Sequence, residues 1–289
     1  MAKSRFALYK APMTPFLKMQ GLGNDFVIFD ARNRAIAIGP AEARAIADRH
    51  LGIGCDTVVL IAPGTAEADA SLRFFNADGG EVESCGNATR CVARLLMNEK
   101  GLSRVRLKSR GGLLVSTDAG SGLVTVDMGA PKSDWKDIPL KEPADTAKFG
   151  IPVAGHQVQA QLVVVGNPHC LLFVEDAAKA PVTQLGPLLE RHPLFPARIN
   201  VEFVQVVDRD HIRMRVWERG VGVTLACGTG ACASLVAAAR SGLSSRKATV
   251  QLDGGPLIIE WREEDDHVLM TGPAALSFAG EIALDQDGC

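Results

Sequence analysis

Two short cysteine motifs are the residues best able to do chemistry in this sequence. Cys85-Gly86-Asn87 recurs 142 positions later (227 minus 85) as Cys227-Gly228-Thr229. Each motif precedes a segment with helical periodicity, Ala88–Met97 or Ala231–Arg240. The start of a helix offers free backbone N–H groups and a positive dipole end, which stabilise a thiolate or a carboxylate. The motifs therefore predict two activated sulfurs, each beside an anion-binding helix start.

The same offset links other positions and indicates an internal repeat. Four pairs of residues are 142 or 143 positions apart: Cys85 and Cys227, Asn24 and Asn167, Asn76 and Glu218, and Thr57 and Asn200. Two similar halves can pack around a pseudo-twofold axis, so that corresponding loops face each other across a cleft. We therefore expect Cys85 and Cys227 to face each other from opposite walls.

Two facing sulfurs can act as a two-base pair. A thiolate removes an α-proton, and a thiol on the opposite face returns one, which inverts the stereocentre. Backbone N–H donors at the helix starts can stabilise the charge that develops on a carboxylate. Gly86 and Gly228 lack the Cβ that would keep a ligand away from those donors. The sequence contains no glycine-rich nucleotide loop, no P-loop and no pyridoxal-phosphate lysine context, so we expect no cofactor.

The total of 7 cysteines is odd, which argues against a disulfide scaffold. Five of them are predicted to be packing or incidental residues: Cys55, Cys91, Cys170, Cys232 and Cys289. Spacings of six (85 to 91) and five (227 to 232) do not match the two-to-four-residue gaps of structural zinc sites, so we predict no metal. A thiol-redox or zinc-binding protein remains the alternative from another class, and metal analysis would test the zinc version.

Composition narrows the class of protein. The chain has 289 residues and a net charge of −2, with 47% hydrophobic residues. No basic cluster occurs, and no apolar run approaches the roughly 18–20 residues that span a bilayer. We therefore predict a cytoplasmic protein with a small-molecule substrate, which binds neither nucleic acid nor membrane.

Strand patterns dominate both halves and predict a mixed α+β protein. A third helix is predicted at Ala41–His50, and a linker from Gly129 to about Pro143. Alternating runs predict strands at Leu72–Phe75, Val105–Lys108, Leu113–Thr117, Leu123–Met128, Leu162–Val165, Leu171–Val174, Val201–Val207, His211–Trp217, Thr249–Leu252, Leu257–Trp261 and Val268–Thr271.

These motifs together resemble the diaminopimelate epimerase family. The blocks that carry the resemblance are Lys18–Phe26, Phe75–Gly79, Cys85–Cys91, Gly166–Cys170, Ile199–Val201 and Glu218–Ala231. The resemblance covers residues 15–283 with the blocks in the family's order. It implies two pseudo-symmetric α/β domains, each a barrel-like, mostly antiparallel sheet around a central helix. The expected divisions are a flexible extension (1–14), an N-terminal domain (15–130), a C-terminal domain (131–274) and a segment returning to the first domain (275–289).

The resemblance also implies an activity: interconversion of LL- and meso-2,6-diaminopimelate, in lysine and peptidoglycan-precursor synthesis, by a homodimer without pyridoxal phosphate. The resemblance implies that Cys85 and Cys227 are the acid–base pair and that His169 and Glu218 adjust the cysteine pKa values. Substrate binding is implied for Asn24, Asn76, Gly86, Asn87, Asn167, Asn200, Glu218, Arg219, Gly228 and Thr229.

Two positions depart from the family pattern. Val223 replaces a frequent Glu, a change that we expect to be tolerated. Thr57 stands where the family commonly has Gln, which puts a substrate contact there in question. A proline or hydroxyproline racemase-like enzyme of the same fold is the nearest alternative. That alternative predicts a pocket for one small amino acid, without a side chain such as Arg219 to read a distal carboxylate.

Overall fold

The computed structural model describes residues 13–284, which form two halves. The first half contains β1 (Met13–Gly21), β2 (Asn24–Asp30), α1 (Pro40–Ala47), β3 (Thr57–Pro63), β4 (Ala70–Asn76), β5 (Glu81–Val82), α2 (Gly86–Lys100), β6 (Arg104–Ser109), β7 (Gly112–Asp118) and β8 (Leu123–Asp127). The second contains β9 (Phe149–Val153), β10 (His156–Val165), β11 (Asn167–Phe173), α3 (Val182–Glu190), β12 (Asn200–Asp208), β13 (His211–Glu218), β14 (Gly222–Val223), α4 (Gly228–Arg240), β15 (Lys247–Leu252), β16 (Gly255–Trp261) and β17 (Val268–Pro273), followed by β18 (Ala275–Ala283).

Strands pair in the same order in both halves. In the first, β1–β2 and β3–β4 are antiparallel while β2–β3 and β4–β6 are parallel. In the second, β10–β11 and β12–β13 are antiparallel while β11–β12 and β13–β15 are parallel. Even the register repeats, because Phe26 pairs with Thr57 and His169 pairs with Asn200, with both partners shifted by 143 positions. The predicted two-half α+β fold is confirmed.

Two pairings join the halves. β8 pairs with β17, from Asp127 opposite Leu269 to Leu123 opposite Pro273. β18 crosses back and pairs with β1 in the first half. Between β8 and β9, where the linker was predicted, the chain has neither helix nor strand apart from a bridge between Lys132 and Val164.

The terminal predictions fall mostly on residues that the structure leaves out. Residues 1–12 of the expected flexible extension and residues 285–289 lie outside the described residues. Met13 and Thr14, which the sequence assigned to the extension, instead begin β1.

Each half surrounds one helix. Residues 86–93 of α2 and 228–238 of α4 are buried on every side, which requires neighbours all around the helix. α2 lies against β1 and β6–β8, and α4 lies against β10–β13 and β15–β17. α2 ends at Gly101, whose left-handed backbone (φ 64°) closes the helix. No helix within residues 13–284 is both long and apolar enough to cross a membrane.

Candidate active site

Cys85 and Cys227 occupy equivalent places at the starts of the two buried helices. Each is the N-cap residue of its helix and has an extended backbone, with φ −144° for Cys85 and −110° for Cys227. Cys227 Sγ accepts a hydrogen bond from the backbone N–H of Gly230 at 3.4 Å and lies 3.5 Å from Thr229 Oγ1. Cys85 is half-buried, whereas Cys227 is only 5% exposed. The structure therefore places both sulfurs where helix N–H groups can reach them.

The two helix starts adjoin at Met270. A Cβ added to Gly86 would lie 2.7 Å from Met270 Cε, and one added to Gly228 would lie 2.7 Å from Met270 Sδ. Both distances are too short for real contacts. From the sequence, glycine was expected at positions 86 and 228 only because it lets a ligand approach the backbone N–H groups. The structure gives them a second reason, because any side chain would displace the residue that packs between the helices.

Asn87 connects the two halves next to the cysteines. Its Nδ2 donates to the carbonyl oxygen of Ala226, one residue before Cys227, at 3.1 Å, and to Asn24 Oδ1 at 3.1 Å. Its Oδ1 is buried without a partner in the described residues and lies 2.9 Å from the point that a Cβ of Gly228 would occupy. Three of the predicted site residues thus meet at one point.

A pseudo-symmetric contact brings each half's hairpin turn to the other half's cysteine. Gly23 (φ 81°) leaves no room for a Cβ, which would lie 2.7 Å from Leu225 Cδ1. Gly166 (φ 74°) lies against Ser84, whose Oγ is 3.4 Å from the corresponding point. Leu225 is two residues before Cys227 and Ser84 is one before Cys85. Each glycine-asparagine motif therefore lies beside the cysteine motif of the other half.

Asn24 is fixed by a network of charged side chains. Its Nδ2 donates to Asp56 Oδ2 at 2.8 Å, and the backbone N–H of Asp56 donates to Asp25 Oδ1 at 2.9 Å. Lys18 Nζ lies 2.7 Å from Asp25 Oδ2, and Arg49 donates to both carboxylates. Burial opposes ionisation of Asp25, but the hydrogen bonds from Arg49 and Lys18 outweigh it and lower the Asp25 pKa to about 2. Asp25 therefore stays ionised at neutral pH, and the network keeps the amide in place.

Arg219 is positioned by Asn200. Asn200 Oδ1 accepts the backbone N–H of Arg219 at 2.9 Å, while its Nδ2 donates to the carbonyl oxygen of Pro168 at 3.0 Å. The guanidinium of Arg219 is exposed and donates to the carbonyl oxygen of Ala197 at 3.2 Å. The Asn200 amide is therefore committed to protein partners on both of its polar atoms.

Glu190 holds the same turn from behind, and sequence reasoning missed it. Its carboxylate accepts the backbone N–H of Gly220 at 2.9 Å and the indole N–H of Trp217 at 2.8 Å. The side chain of Glu190 is 2% exposed. A single acidic residue at the end of α3 carries no sequence signal of its own, because its partners lie about 30 positions further along the chain.

A second missed residue, Glu202, pairs with His169. The distance from His169 Nδ1 to Glu202 Oε1 is 2.6 Å, and both side chains are fully buried. A Cβ added to Gly230 would lie 2.8 Å from Glu202 Oε1 and 3.3 Å from Cys227 Sγ, so this carboxyl group lies beside the start of α4. Burial raises the Glu202 pKa, and His169 partly offsets the effect. Glu202 sits within a run of apolar strand residues, where the sequence pattern predicts only packing.

Burial dominates the pKa values of the two cysteines. It raises the pKa of Cys85 to about 11 and that of Cys227 well above its usual range. Backbone N–H groups lower both values, as the helix starts predict, and Glu218 raises both. The sequence expectation of lowered cysteine pKa values is therefore not met, since desolvation exceeds the helix contribution and both thiols hold their protons at neutral pH.

Glu218 is the acidic residue whose charge raises the pKa of both cysteines. It ends β13 and is half-buried, and Thr224 Oγ1 donates a hydrogen bond to its Oε1. Burial raises its pKa to about 7, with the Thr224 hydrogen bond opposing the shift. Glu218 therefore changes its charge near neutral pH. His169 acts against the effect of burial and lowers the Glu218 pKa.

The remaining predicted residues fall at strand ends. Asn76 is the last residue of β4 and pairs with Thr57, which begins β3 and is buried. Asn167 begins β11, and its Oδ1 is buried without a partner in the described residues. Cys55, Cys91, Cys170 and Cys232 are buried free thiols, as packing residues would be, and Cys289 lies outside the described residues.

One group of side chains within residues 13–284 is close enough to hold a metal ion. Asp127, Asp265 and His267 present ligand atoms within 4.8 Å of one another. Arg262 already forms ion pairs with both carboxylates, and His267 Nδ1 lies 2.9 Å from Asp127. Internal pairing accounts for this cluster, and none of its residues belongs to the cysteine site.

Solved structures with the same architecture include a hydroxyproline epimerase from Agrobacterium vitis, with a TM-score of 0.70 at 18% identity, covering 96% of this chain and 94% of that chain. A phenazine biosynthesis protein of the PhzF family from Enterococcus faecalis gives a TM-score of 0.64 at 17% identity, covering 94% of this chain and 100% of that chain. At these identities the likeness shows the fold. The protein therefore has the two-half fold found among racemases, epimerases and PhzF proteins.

Sequence relatives narrow this class. A sequence model of the family described as diaminopimelate epimerase matches residues 16–133 and 161–277. The diaminopimelate epimerase of Phenylobacterium zucineum is 53% identical over 93% of this chain and 97% of its own length. That of Acidiphilium cryptum is 51% identical over 94% of this chain and 97% of its own length. The chain belongs to the diaminopimelate epimerase family and is an isomerase.

Proposed function

We propose that this protein interconverts LL- and meso-2,6-diaminopimelate, with Cys85 and Cys227 as the two acid–base residues. One observation carries the proposal: two cysteines cap equivalent helices whose starts adjoin at Met270. The names of the 53% and 51% identical relatives supply the substrate.

The proposed reaction moves two protons and leaves the net charge of the site unchanged. One cysteine, as thiolate, takes the proton from the α-carbon and becomes a thiol. The other gives its proton to the opposite face of the same carbon and becomes the thiolate, so the configuration inverts. Negative charge on the α-carboxylate is stabilised by the N–H groups at Gly86-Asn87 and Gly228-Thr229, which are fixed before the substrate arrives.

Burial of both thiols shapes this mechanism. Each cysteine resists ionisation while it is desolvated, so the pair keeps both protons until a substrate with compensating charge enters and one thiol gives its proton to bulk water. The ammonium group on the reacting carbon is one such charge, because it favours a thiolate nearby. Glu218 has a pKa near 7, and its ionised form repels a thiolate and so disfavours ionisation of the cysteines.

The distal end of the substrate meets the polar residues at the strand ends. We assign Arg219 the distal carboxylate, because an exposed guanidinium grips a carboxylate through two parallel hydrogen bonds. Asn76 and Asn167 serve as direct polar contacts, and the unpartnered Oδ1 of Asn167 can accept a hydrogen bond from an ammonium group. Asn200 instead acts through Arg219, since both of its polar atoms are occupied.

The wider organisation follows the family. We assign the domains to residues 15–130 and 131–274 and propose that the segment from 275 belongs to the first. We further propose that the protein works as a homodimer in the cytoplasm. Gel filtration with light scattering tests the dimer, and a monomer at working concentrations would contradict it.

The experiment that tests the function is turnover of LL-diaminopimelate in deuterium oxide without pyridoxal phosphate. Deuterium should enter the inverted α-carbon, and Cys85→Ser and Cys227→Ser should each lose at least about a thousandfold in kcat, because a serine hydroxyl is a far weaker acid. Cys91→Ser and Cys232→Ser, which change buried cysteines of the same two helices, are the matched controls and should stay active.

Two results would reject the proposal. Full epimerisation by both single cysteine variants excludes the two-thiol mechanism. Turnover of trans-4-hydroxyproline in preference to LL-diaminopimelate would assign the site to the alternative substrate class.

A further inference from the structure

Arg90 is the one arginine whose side chain is completely buried among residues 13–284. It lies in α2, five positions after Cys85. Its Nε donates to the carbonyl oxygen of Pro273 at 3.3 Å, its Nη1 lies 3.3 Å from Met270 Sδ, and its Nη2 has no partner in the described residues. None of the carboxylates in residues 13–284 forms a salt bridge with it. A permanent charge is thus buried without a counter-ion.

Such an arrangement is costly, and the chain makes room for it. A buried charge is normally paired, because desolvation of an ion removes much of its stabilisation. Gly21 and Gly272 flank the guanidinium. A Cβ would lie 3.0 Å from Nη2 at Gly21 and 3.3 Å from Nε at Gly272, where it would also clash with Leu257 Cδ2. Two positions without side chains therefore accommodate the planar group. Apolar residues would fill this space at lower cost if packing were its only purpose.

The charge lies directly behind the cysteine site. Met270 contacts the guanidinium through its sulfur, and the same side chain fills the space next to Gly86 and Gly228. From Cys85 to Arg90 the helix advances about 7.5 Å, at 1.5 Å per residue. The titratable groups around Arg90 are Cys85 and Cys91 on its own helix and Cys232 on α4. A single thioether thus separates the guanidinium from both helix starts.

We propose that Arg90 is the buried counter-ion of the Cys85 thiolate, a positioning residue whose fixed charge favours the ionised form of that sulfur. The inference rests on the proposed function, because only a thiolate mechanism needs such a charge. During turnover the negative charge lies on Cys85 in one of the two half-reactions, and a cation behind the start of its helix favours that state. In agreement with this role, Arg90 lowers the pKa of the Cys85 thiol against the larger effect of burial.

The test compares charge with packing at this position. Wild type, Arg90→Met, Arg90→Gln and Arg90→Lys are alkylated with iodoacetamide between pH 7 and 10, and the rate at Cys85 and Cys227 is followed by peptide mass spectrometry. A unit charge at this distance shifts a thiol pKa by about one unit. At pH 8 we expect Cys85 in Arg90→Met and Arg90→Gln to react about tenfold more slowly, with Arg90→Lys within about threefold of wild type.

Stability and turnover separate this role from a structural one. Arg90→Met should unfold at the same urea concentration as wild type or a higher one, because it removes an unpaired buried charge, yet kcat should fall about tenfold at pH 8. Arg94→Met, one turn further along α2, removes the same charge and should leave both alkylation and kcat unchanged.

The results that would overturn the inference are specific. Wild-type alkylation rates in both Arg90→Met and Arg90→Gln would show that the charge does not act on the thiols. Should Arg90→Met fail to fold, equal slowing in Arg90→Gln and Arg90→Lys would assign the residue to structure alone. Absence of diaminopimelate turnover by the wild type would reject the proposed function instead, since alkylation needs no substrate.

Discussion

Glu218→Gln should stabilise the folded protein at alkaline pH while it impairs activity. Burial raises the Glu218 pKa from its ordinary value of 4.5 to about 7, and Glu202 adds to the effect. In the unfolded chain the same carboxyl titrates at its ordinary value. The folded state therefore binds this proton more tightly, so folding must tolerate a poorly solvated charge at high pH.

The sign and size follow from this difference. A raised acid pKa contributes stability that is fully present below about pH 4.5 and is lost as pH rises through about 7. A difference of about 2.5 units corresponds to about 3 kcal/mol. That figure is an upper bound, since the half-buried side chain is partly screened by solvent. Gln keeps an oxygen that can accept the hydrogen bond from Thr224 but carries no charge at any pH.

Urea unfolding of wild type, Glu218→Gln and the exposed control Glu175→Gln at pH 4.5 and 8 measures the effect. The free energy of unfolding of Glu218→Gln relative to wild type should increase by up to about 3 kcal/mol between the two pH values. Its kcat should fall, and any change in the kcat–pH profile near 7 should disappear. Parallel pH dependence of stability in wild type and Glu218→Gln would refute the reasoning, because the carboxyl would then titrate normally.

Two further substitutions test the contacts that build the site. Glu190→Gln leaves one of its two part-buried N–H donors without an acceptor. The loss should cost about 1 kcal/mol in urea unfolding and raise KM more than it lowers kcat, with the exposed Glu264→Gln as control. Gly228→Ala places a methyl group 2.7 Å from Met270 Sδ, so it should lower the free energy of unfolding by about 1–3 kcal/mol and reduce kcat at least tenfold. Wild-type kinetics in this variant would show that the starts of α2 and α4 can move apart without loss of activity.

Local pattern was enough to predict most of the fold. Helices predicted at Ala88–Met97 and Ala231–Arg240 exist, beginning two or three residues earlier, because Gly86 and Gly228 are helical despite their poor propensity. All eleven strands predicted from alternating residues are present, although β10 begins six positions and β11 four positions before the expected start. The internal repeat could be detected in the sequence because the starts of α2 and α4 make the same contacts and therefore need the same residue types at matching positions.

The failures have physical causes. Helix α3 was missed because Pro187 lies inside it, and proline reads as a helix breaker. The predicted helix Ala41–His50 ends at Ala47, because the Asp48 side chain accepts the backbone N–H groups of His50 and Leu51 and forms a turn.

The site was only partly readable from the sequence, for a related reason. The predicted positions could be located by motif, but Glu190, Glu202 and Arg90 have partners distant in sequence. The cysteine pKa values depend on desolvation, which is a property of the assembled interior and which no local pattern reports.

The return of β18 to β1 has a consequence for how the protein is made. Residue Met13 pairs with Ala283, so the first half needs strands from both ends of the chain. During synthesis β1 pairs with β2 but keeps one edge open until β18 has left the ribosome. Closing so long a loop is slow, and an open strand edge invites wrong pairing in the meantime. The order of synthesis thus delays completion of the first half until after the second has been made.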